Sequence, residues 1–180
     1  MAVSSGNAYV GRMTNRRGRP GRAYESKAAD STDLRILMEL QRDARVSLAE
    51  LGRRVGLSAP AVAERVQRLE DTGVIVGYHA AVDQRALGFP ISVLVRVRPA
   101  LRELHLIPKI AEEIPQIVEC HRITGDDCFF FIAHLRSVEE LEPILDRFTP
   151  HARTTTSILQ SAPVPRRPLP LDEQGQATAM

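Results

Sequence analysis

The segment that most constrains the fold is residues 45–73, RVSLAELGRRVGLSAPAVAERVQRLEDTG, which carries start and stop signals for two short helices. Ser47 and Glu50 have the spacing of a capping box, in which each side chain accepts a hydrogen bond from the other residue's amide. Gly56 predicts a left-handed residue at the end of the first helix. Ser58 predicts the N-cap of the second helix. Two capped helices joined by a tight turn are a helix-turn-helix.

The second helix has an apolar face and a polar outer side. Val62, Val66 and Leu69 recur at i, i+4 and i+7, which places them on one side of the helix. Seven residues are left for the outer side: Ala59, Ala61, Ala63, Glu64, Arg65, Gln67 and Arg68. The major groove of DNA, about 12 Å wide, admits one helix and lets arginine bind guanine or phosphate. We expect Arg65 and Arg68 to contact DNA, and the alternative is a helical hairpin with solvated arginines.

Four other side chains are weaker candidates for DNA contacts. Ser47 and Ser58 are expected to cap helices and also to meet phosphates, and Arg53 and Arg54 are candidates for phosphates alone. The next segment, VIVGY at residues 74–78, predicts a short strand and turn. Winged helix-turn-helix proteins carry their wing at this place in the chain.

The run from Asp33 to about Leu87 resembles the DNA-binding half of the Lrp/AsnC, or feast/famine, regulators. The resemblance is carried by GLS before the second helix, RVQRLE within it, GVI and GY after it, and a final LG. It continues more weakly to about Leu159. It implies a winged helix-turn-helix domain, a second domain of the RAM type, and double-stranded DNA as partner.

Five segments are expected along the chain. They are a disordered basic tail at 1–29, the winged helix-turn-helix at 30–82, a linker at 83–90, a ligand-sensing and oligomerisation domain at 91–160, and a Pro-rich tail at 161–180. Although the chain has a net charge of only +2, the N-terminal tail holds six basic residues against Glu25 alone. The tail is either an arm along DNA phosphates or a solvated leader.

The second half of the chain predicts an α+β, ferredoxin-like domain. Alternating apolar residues after Pro90 change the period from 3.6 to 2, which indicates a strand. The predicted strands are 91–98, 117–123, 128–135 and 151–159, and the predicted helices are 103–114 and one that ends near 148. A capping box of Ser137 and Glu140 is expected at the start of that last helix. The order βαββαβ is the split βαβ arrangement.

The third predicted strand, CFFFIAHL, is apolar on both sides. Right-handed crossovers place both helices on one face of the sheet and leave the other face bare. A large exposed apolar face is normally buried against other protein. We therefore predict that Leu94, Phe129 and Phe131 lie at an interface with a second copy. The alternative cover is the tail after Ser161. The resemblance implies a sheet-to-sheet homodimer that assembles further into tetramers or octamers.

The resemblance also implies that the second domain senses a small effector, commonly an amino acid. Thr124, Gly125 and Asp126 match the family's T-G-D-aromatic-D pattern, while Asp127 and Cys128 stand in place of Tyr and Asp. The carboxylates could pair with an α-ammonium group, and the amides near Gly125 could bind a carboxylate. The alternative is a plain acidic hairpin turn.

Few features of the sequence support an enzyme or a metal-binding protein. The five histidines are scattered, and the sequence has neither a nucleophile motif nor a glycine-rich phosphate loop, so we expect no enzyme. Cys120 and Cys128 lack zinc-type spacing, so we expect no metal and no cofactor beyond an effector. A weak alternative is a metal shared by His121, Asp127 and Cys128.

The sequence shows neither a signal peptide nor an apolar run long enough for a membrane, so we expect a cytoplasmic protein. A DNA-bridging architectural protein without an effector is the nearest alternative, and an enzyme built on the ferredoxin-like domain is more remote.

Overall fold

A computed structural model describes residues 29–171, which form two compact units. The first unit comprises residues 29–78 with 168–171, and the second is His79–Arg167. The predicted basic tail lies outside the described residues except for Ala29, as does the part of the Pro-rich tail after residue 171. Among the described residues, no helix has the length and apolar character that crossing a membrane requires.

The first unit contains the three predicted helices, α1 (Ser31–Arg42), α2 (Leu48–Val55) and α3 (Ala59–Asp71). α1 begins at a capping box that Asp30 and Asp33 form. The three helices bury a small common core, Ile36, Leu51, Val55, Val62 and Leu69. Each helix is too short to be stable alone, so this shared core holds the helix-turn-helix in place.

The predicted wing strand at residues 74–76 is wrong. The chain leaves α3 through Gly73, at a φ of 72°, and continues through 78 without a strand. The amides of Val74 and Ile75 both bind the carbonyl oxygen of Leu69, at 2.9 and 3.0 Å. Because these two amides close the end of the helix, they are not available to pair with another strand.

The second unit confirms the predicted order of elements. They are β1 (Ile91–Pro99), α4 (Ile107–Glu112), β2 (Ile117–Arg122), β3 (Phe129–Leu135), α5 (Leu141–Phe148) and β4 (Ala152–Ile158). The strands form one antiparallel sheet in the order β2-β3-β1-β4. Side chains on one sheet face pack with both helices in a single core, which includes Val95, Phe131, Ile107 and Phe148. The fold is the predicted ferredoxin-like arrangement.

Both helices of this unit begin later than predicted. Residues 101–106 form turns, and α4 starts only at Ile107, so that Pro108 lies in its first turn. The expected capping box of Ser137 and Glu140 is wrong, because the Glu140 carboxylate accepts the Arg136 amide at 2.9 Å instead. A 3-10 turn precedes α5, which places Pro143 in the first turn of α5. Proline is tolerated there because that amide has no partner within the helix.

Candidate DNA interface and ligand turn

The turn between α2 and α3 is built from two helix caps and close glycine packing. Ser47 Oγ accepts the Glu50 amide at 3.2 Å, and Gly56 has a φ of 74° as predicted. Ser58 Oγ accepts the Ala61 amide at 3.4 Å and starts α3. A Cβ at Gly52 would lie 2.6 Å from a backbone oxygen of the turn. Sequence reasoning missed Gly52, although glycine inside a helix beside a tight turn is a signal of close backbone approach.

The outer side of α3 is formed by its most exposed residues. Of the predicted DNA contacts on α3, Glu64, Gln67 and Arg68 are exposed, whereas Ala59, Ala61 and Ala63 are half-buried. Gln67 Nε2 donates to Asp71 Oδ1 at 3.0 Å. The outer side therefore carries small side chains near the N-terminus of the helix, and a carboxylate and an amide further along.

Arg65 does not lie on the outer side, and that part of the prediction is wrong. Its Nη1 binds Asp30 Oδ2 at 2.7 Å and Asp33 Oδ1 at 2.8 Å, and its side chain is only 29% exposed. Hydrogen bonds to Asp30 and Asp33 raise the pKa of Arg65, and the bond to Arg65 lowers the pKa of Asp30. The guanidinium group is held by α1 because it follows Val62 by three residues, on the flank of the buried face.

Arg68 shares the same carboxylate but remains accessible. Its Nη2 lies 2.6 Å from Asp33 Oδ2, and its side chain is 56% exposed. Asp33 is 2% exposed and also accepts the Asp30 amide at 3.1 Å. Asp33 thus joins both arginines of α3 to the start of α1, a structural role that sequence reasoning missed.

Arg53 and Arg54 are bound by Glu50 at the C-terminal end of α2. Glu50 contacts Arg53 Nη2 at 2.6 Å and Arg54 Nε at 2.8 Å, and Arg54 also binds Glu39 at 2.9 Å. The reciprocal half of the Ser47–Glu50 capping box is therefore wrong, since these arginines occupy the Glu50 carboxylate. Hydrogen bonds from Arg53 and then Arg54 lower the pKa of Glu50 to about 2.

The turn at 124–128 connects β2 and β3 and is tied to β1. Gly125 has a φ of 105°, and the Ile123 amide donates to the Cys128 carbonyl at 2.9 Å. The Asp126 carboxylate lies 3.0 Å from Arg98 Nη2, and the Asp127 carboxylate lies 3.4 Å from Arg96 Nη1. Both carboxylates therefore already have arginine partners. In the described part of the chain, no three His, Cys, Asp or Glu side chains group as metal ligands would.

Of the three residues predicted on the bare face of the sheet, two lie on the opposite face. Leu94 is opposite Ile132 on this face, as expected. Phe129 and Phe131 are buried in the core of their own unit, where Phe131 stacks on Phe148 with ring centroids 5.1 Å apart. Their assignment to the bare face is wrong. The residues that alternate with them along β3 lie on the bare face instead, and Phe130 there stacks on His121.

Two family models match the chain. The AsnC-type helix-turn-helix domain matches residues 30–70, and the Lrp/AsnC ligand binding domain matches residues 92–169. The HTH-type transcriptional regulator LrpC of Bacillus subtilis is 36% identical over 73% of this chain and 92% of the relative. The HTH-type transcriptional regulator LrpA of Mycobacterium tuberculosis is 33% identical over 74% of this chain and 91% of its own length.

Solved structures agree with these relatives. The structure of Bacillus subtilis LrpC superimposes with a TM-score of 0.70 at 36% identity, over 74% of this chain and 95% of that one. The feast or famine regulatory protein Rv3291c of Mycobacterium tuberculosis, in complex with L-methionine, superimposes with a TM-score of 0.71. It is 31% identical over 78% of this chain and all of the other.

Proposed function

The chain belongs to the Lrp/AsnC family of helix-turn-helix transcriptional regulators, and from this we propose that it reads DNA sequence with α3. The observation that carries the proposal is the exposed outer side of α3, with small side chains first and Glu64 and Gln67 beyond them. A glutamine can bind adenine through two hydrogen bonds, and a carboxylate can accept from cytosine. The base readers we propose are therefore Glu64 and Gln67.

The remaining candidates are proposed as phosphate contacts. Arg68 is exposed and contacts Asp33 through Nη2. The remaining donors of its guanidinium group can therefore bind a phosphate while the contact with Asp33 stays in place. Ser47 and Ser58 begin helices whose free amides favour anions. Arg53 and Arg54 contribute less, because Glu50 already neutralises part of their charge.

Two substitutions separate base reading from phosphate binding. Gln67→Ala should weaken binding to a selected operator by about 1–3 kcal/mol and leave nonspecific DNA unaffected. Arg68→Ala should weaken both by similar factors and lower the salt dependence of binding. Fluorescence anisotropy with the full chain measures both affinities. Arg147→Ala, in the second unit, is the control and should change neither. Equal losses on both DNAs for Gln67→Ala would contradict the proposal.

We also propose that two copies associate through the bare face of the sheet. Leu94, Phe130 and Ile132 form an apolar surface there that the helices of the same unit do not cover. Such surfaces mark interaction sites in proteins of this size. A two-fold axis would present two α3 helices to successive major grooves about 34 Å apart, so the operator should be an imperfect palindrome. Tetramers or octamers are expected from the family alone.

The second unit is proposed to bind an amino-acid effector near Thr124, Gly125, Asp126, Asp127 and Cys128. Support comes from the matching ligand-binding family model and from the relative that was solved with L-methionine. Thermal shift with each of the twenty amino acids tests this proposal. A lack of response to all of them would refute an amino-acid effector. A protein without an effector would be the DNA-bridging alternative.

No catalytic activity is proposed for the chain. Its relatives carry the names of transcriptional regulators. A regulator of transcription acts where the chromosome is, so the proposal implies a cytoplasmic protein.

A further inference from the structure

Two arginines face each other across the β1–β4 pair. Arg98 on β1 is directly opposite Arg153 on β4, and the alternation along β1 puts both on the bare face with Leu94. Like charges directly opposite each other destabilise a sheet unless something neutralises them. A carboxylate of the chain or a bound anion would offset this repulsion.

Only one of the two arginines has an acidic partner. Arg98 Nε donates to the Asp126 carbonyl oxygen at 2.9 Å, and its Nη2 lies 3.0 Å from the Asp126 carboxylate. Arg153 is exposed, and within residues 29–171 it forms no ion pair with a carboxylate. One guanidinium group is left with its charge and its donors available.

The two arginines also line one cavity, at the end of the sheet where β1 ends and β4 begins. It has a volume of about 330 Å³, and His151 and Thr149 contribute to its wall. No acidic side chain lines the cavity directly, and the Glu103 carboxylate contacts its wall from behind, 3.2 Å from His151 Nδ1. The cavity is largely open to solvent, and its size admits only a small molecule. Planar guanidinium groups bind carboxylate and phosphate groups through paired hydrogen bonds.

We propose that Arg153, with Arg98, forms a binding site for a small anion that carries a carboxylate or phosphate group. The proposal refines the effector site, because Arg98 connects this cavity to Asp126 of the 124–128 turn. An amino acid could place its carboxylate at Arg153 and its ammonium group toward the exposed Asp126 carboxylate. An organic acid or a phosphate would use the arginines alone.

The test compares the full-length protein with Arg153→Gln and with the control Arg102→Gln, which removes an exposed arginine that does not line the cavity. The probes are the twenty amino acids, 2-oxoglutarate, inorganic phosphate, and glycinamide as a probe without a carboxylate. Calorimetry and thermal shift report binding. Loss of one charge-assisted pair should raise the Kd of a bound anion about tenfold or more in Arg153→Gln. Arg102→Gln should bind as the wild type does, and glycinamide should not bind.

Each outcome separates this site from the proposed effector function. Amino-acid binding that is unchanged in Arg153→Gln refutes the arginine site and leaves the effector in place. Binding of phosphate or 2-oxoglutarate alone, lost in Arg153→Gln, supports the arginine site and removes the amino-acid effector. The site is also refuted if no probe binds, or if Arg153→Gln changes only dimer dissociation, since the anion would then be a carboxylate of the second copy.

Discussion

Replacement of Asp33 by Asn should destabilise the first unit far more than any surface substitution. The carboxylate is buried and accepts hydrogen bonds from Arg65, Arg68 and the Asp30 amide. Asparagine keeps the shape and one acceptor oxygen. It loses the charge and directs an amide donor toward the guanidinium groups, so the contacts to both arginines weaken.

The magnitude follows from the exposure of each partner. A hydrogen bond to a charged group contributes about 1.5–3 kcal/mol, and we take the lower part of this range for half-buried Arg65, which keeps Asp30 as a partner. Arg68 is more than half exposed, so its contact contributes about 0–1 kcal/mol. The expected loss is about 1.5–3 kcal/mol. For a small domain this corresponds to a fall in Tm of about 6–24 °C.

Differential scanning calorimetry of the full chain measures this loss as a shift of the transition that belongs to the first unit. Arg42→Ala is the matched control, because it removes a mostly exposed contact to Glu39 on the same helix and should cost less than about 0.5 kcal/mol. A shift for Asp33→Asn no larger than that of the control would refute the structural role of the carboxylate. A shift that persists unchanged when Arg65 and Arg68 are both replaced by Ala would refute the pairing.

Four further substitutions test the packing and the side-chain contacts of the two units. Gly52→Ala should destabilise the helix-turn-helix by about 1–3 kcal/mol in chemical denaturation, because the new methyl group meets a backbone oxygen at 2.6 Å; wild-type stability would contradict this. Phe131→Ala should cost about 3–5 kcal/mol of folding stability. Phe130→Ala should mainly weaken the dimer in sedimentation equilibrium. The opposite pair of results would contradict the assignment of Phe131 to the core and Phe130 to the bare face. Burial, then a hydrogen bond to Glu70, raises the pKa of Tyr78 to about 12. Tyr78→Phe should remove a component near that pH from the ultraviolet titration, and an unchanged titration curve would contradict the assignment.

The features that sequence predicted well depend on residues close together in the chain. Ser47, Gly56 and Ser58 define the ends of α2 and α3 through contacts that span a few residues. The alternation along β1 identified its buried face in the same way. Such local signals do not depend on the rest of the fold, which is why the order of the elements and the bounds of the strands were predicted well, whereas α4 and α5 begin later than predicted.

The features that sequence missed depend on distant residues. The contact of Arg65 with Asp33 joins positions 32 residues apart and exists only when α1 and α3 pack together. In β3, both sides are apolar, so the sequence could not tell which phenylalanines face the helices. The missing wing strand has a related cause, since β-branched residues at 74–76 favour an extended chain but a strand also needs a neighbour.

The central claim, that α3 reads DNA sequence, is tested most directly by selection of genomic fragments with the full-length protein, followed by footprinting and affinity measurement. The account predicts protection of an imperfect palindrome with half-sites about one helical turn apart. It also predicts binding at least about a thousandfold tighter than to unrelated DNA at physiological salt. Equal affinity for all fragments, or selective binding that survives alanine at both Glu64 and Gln67, would contradict it.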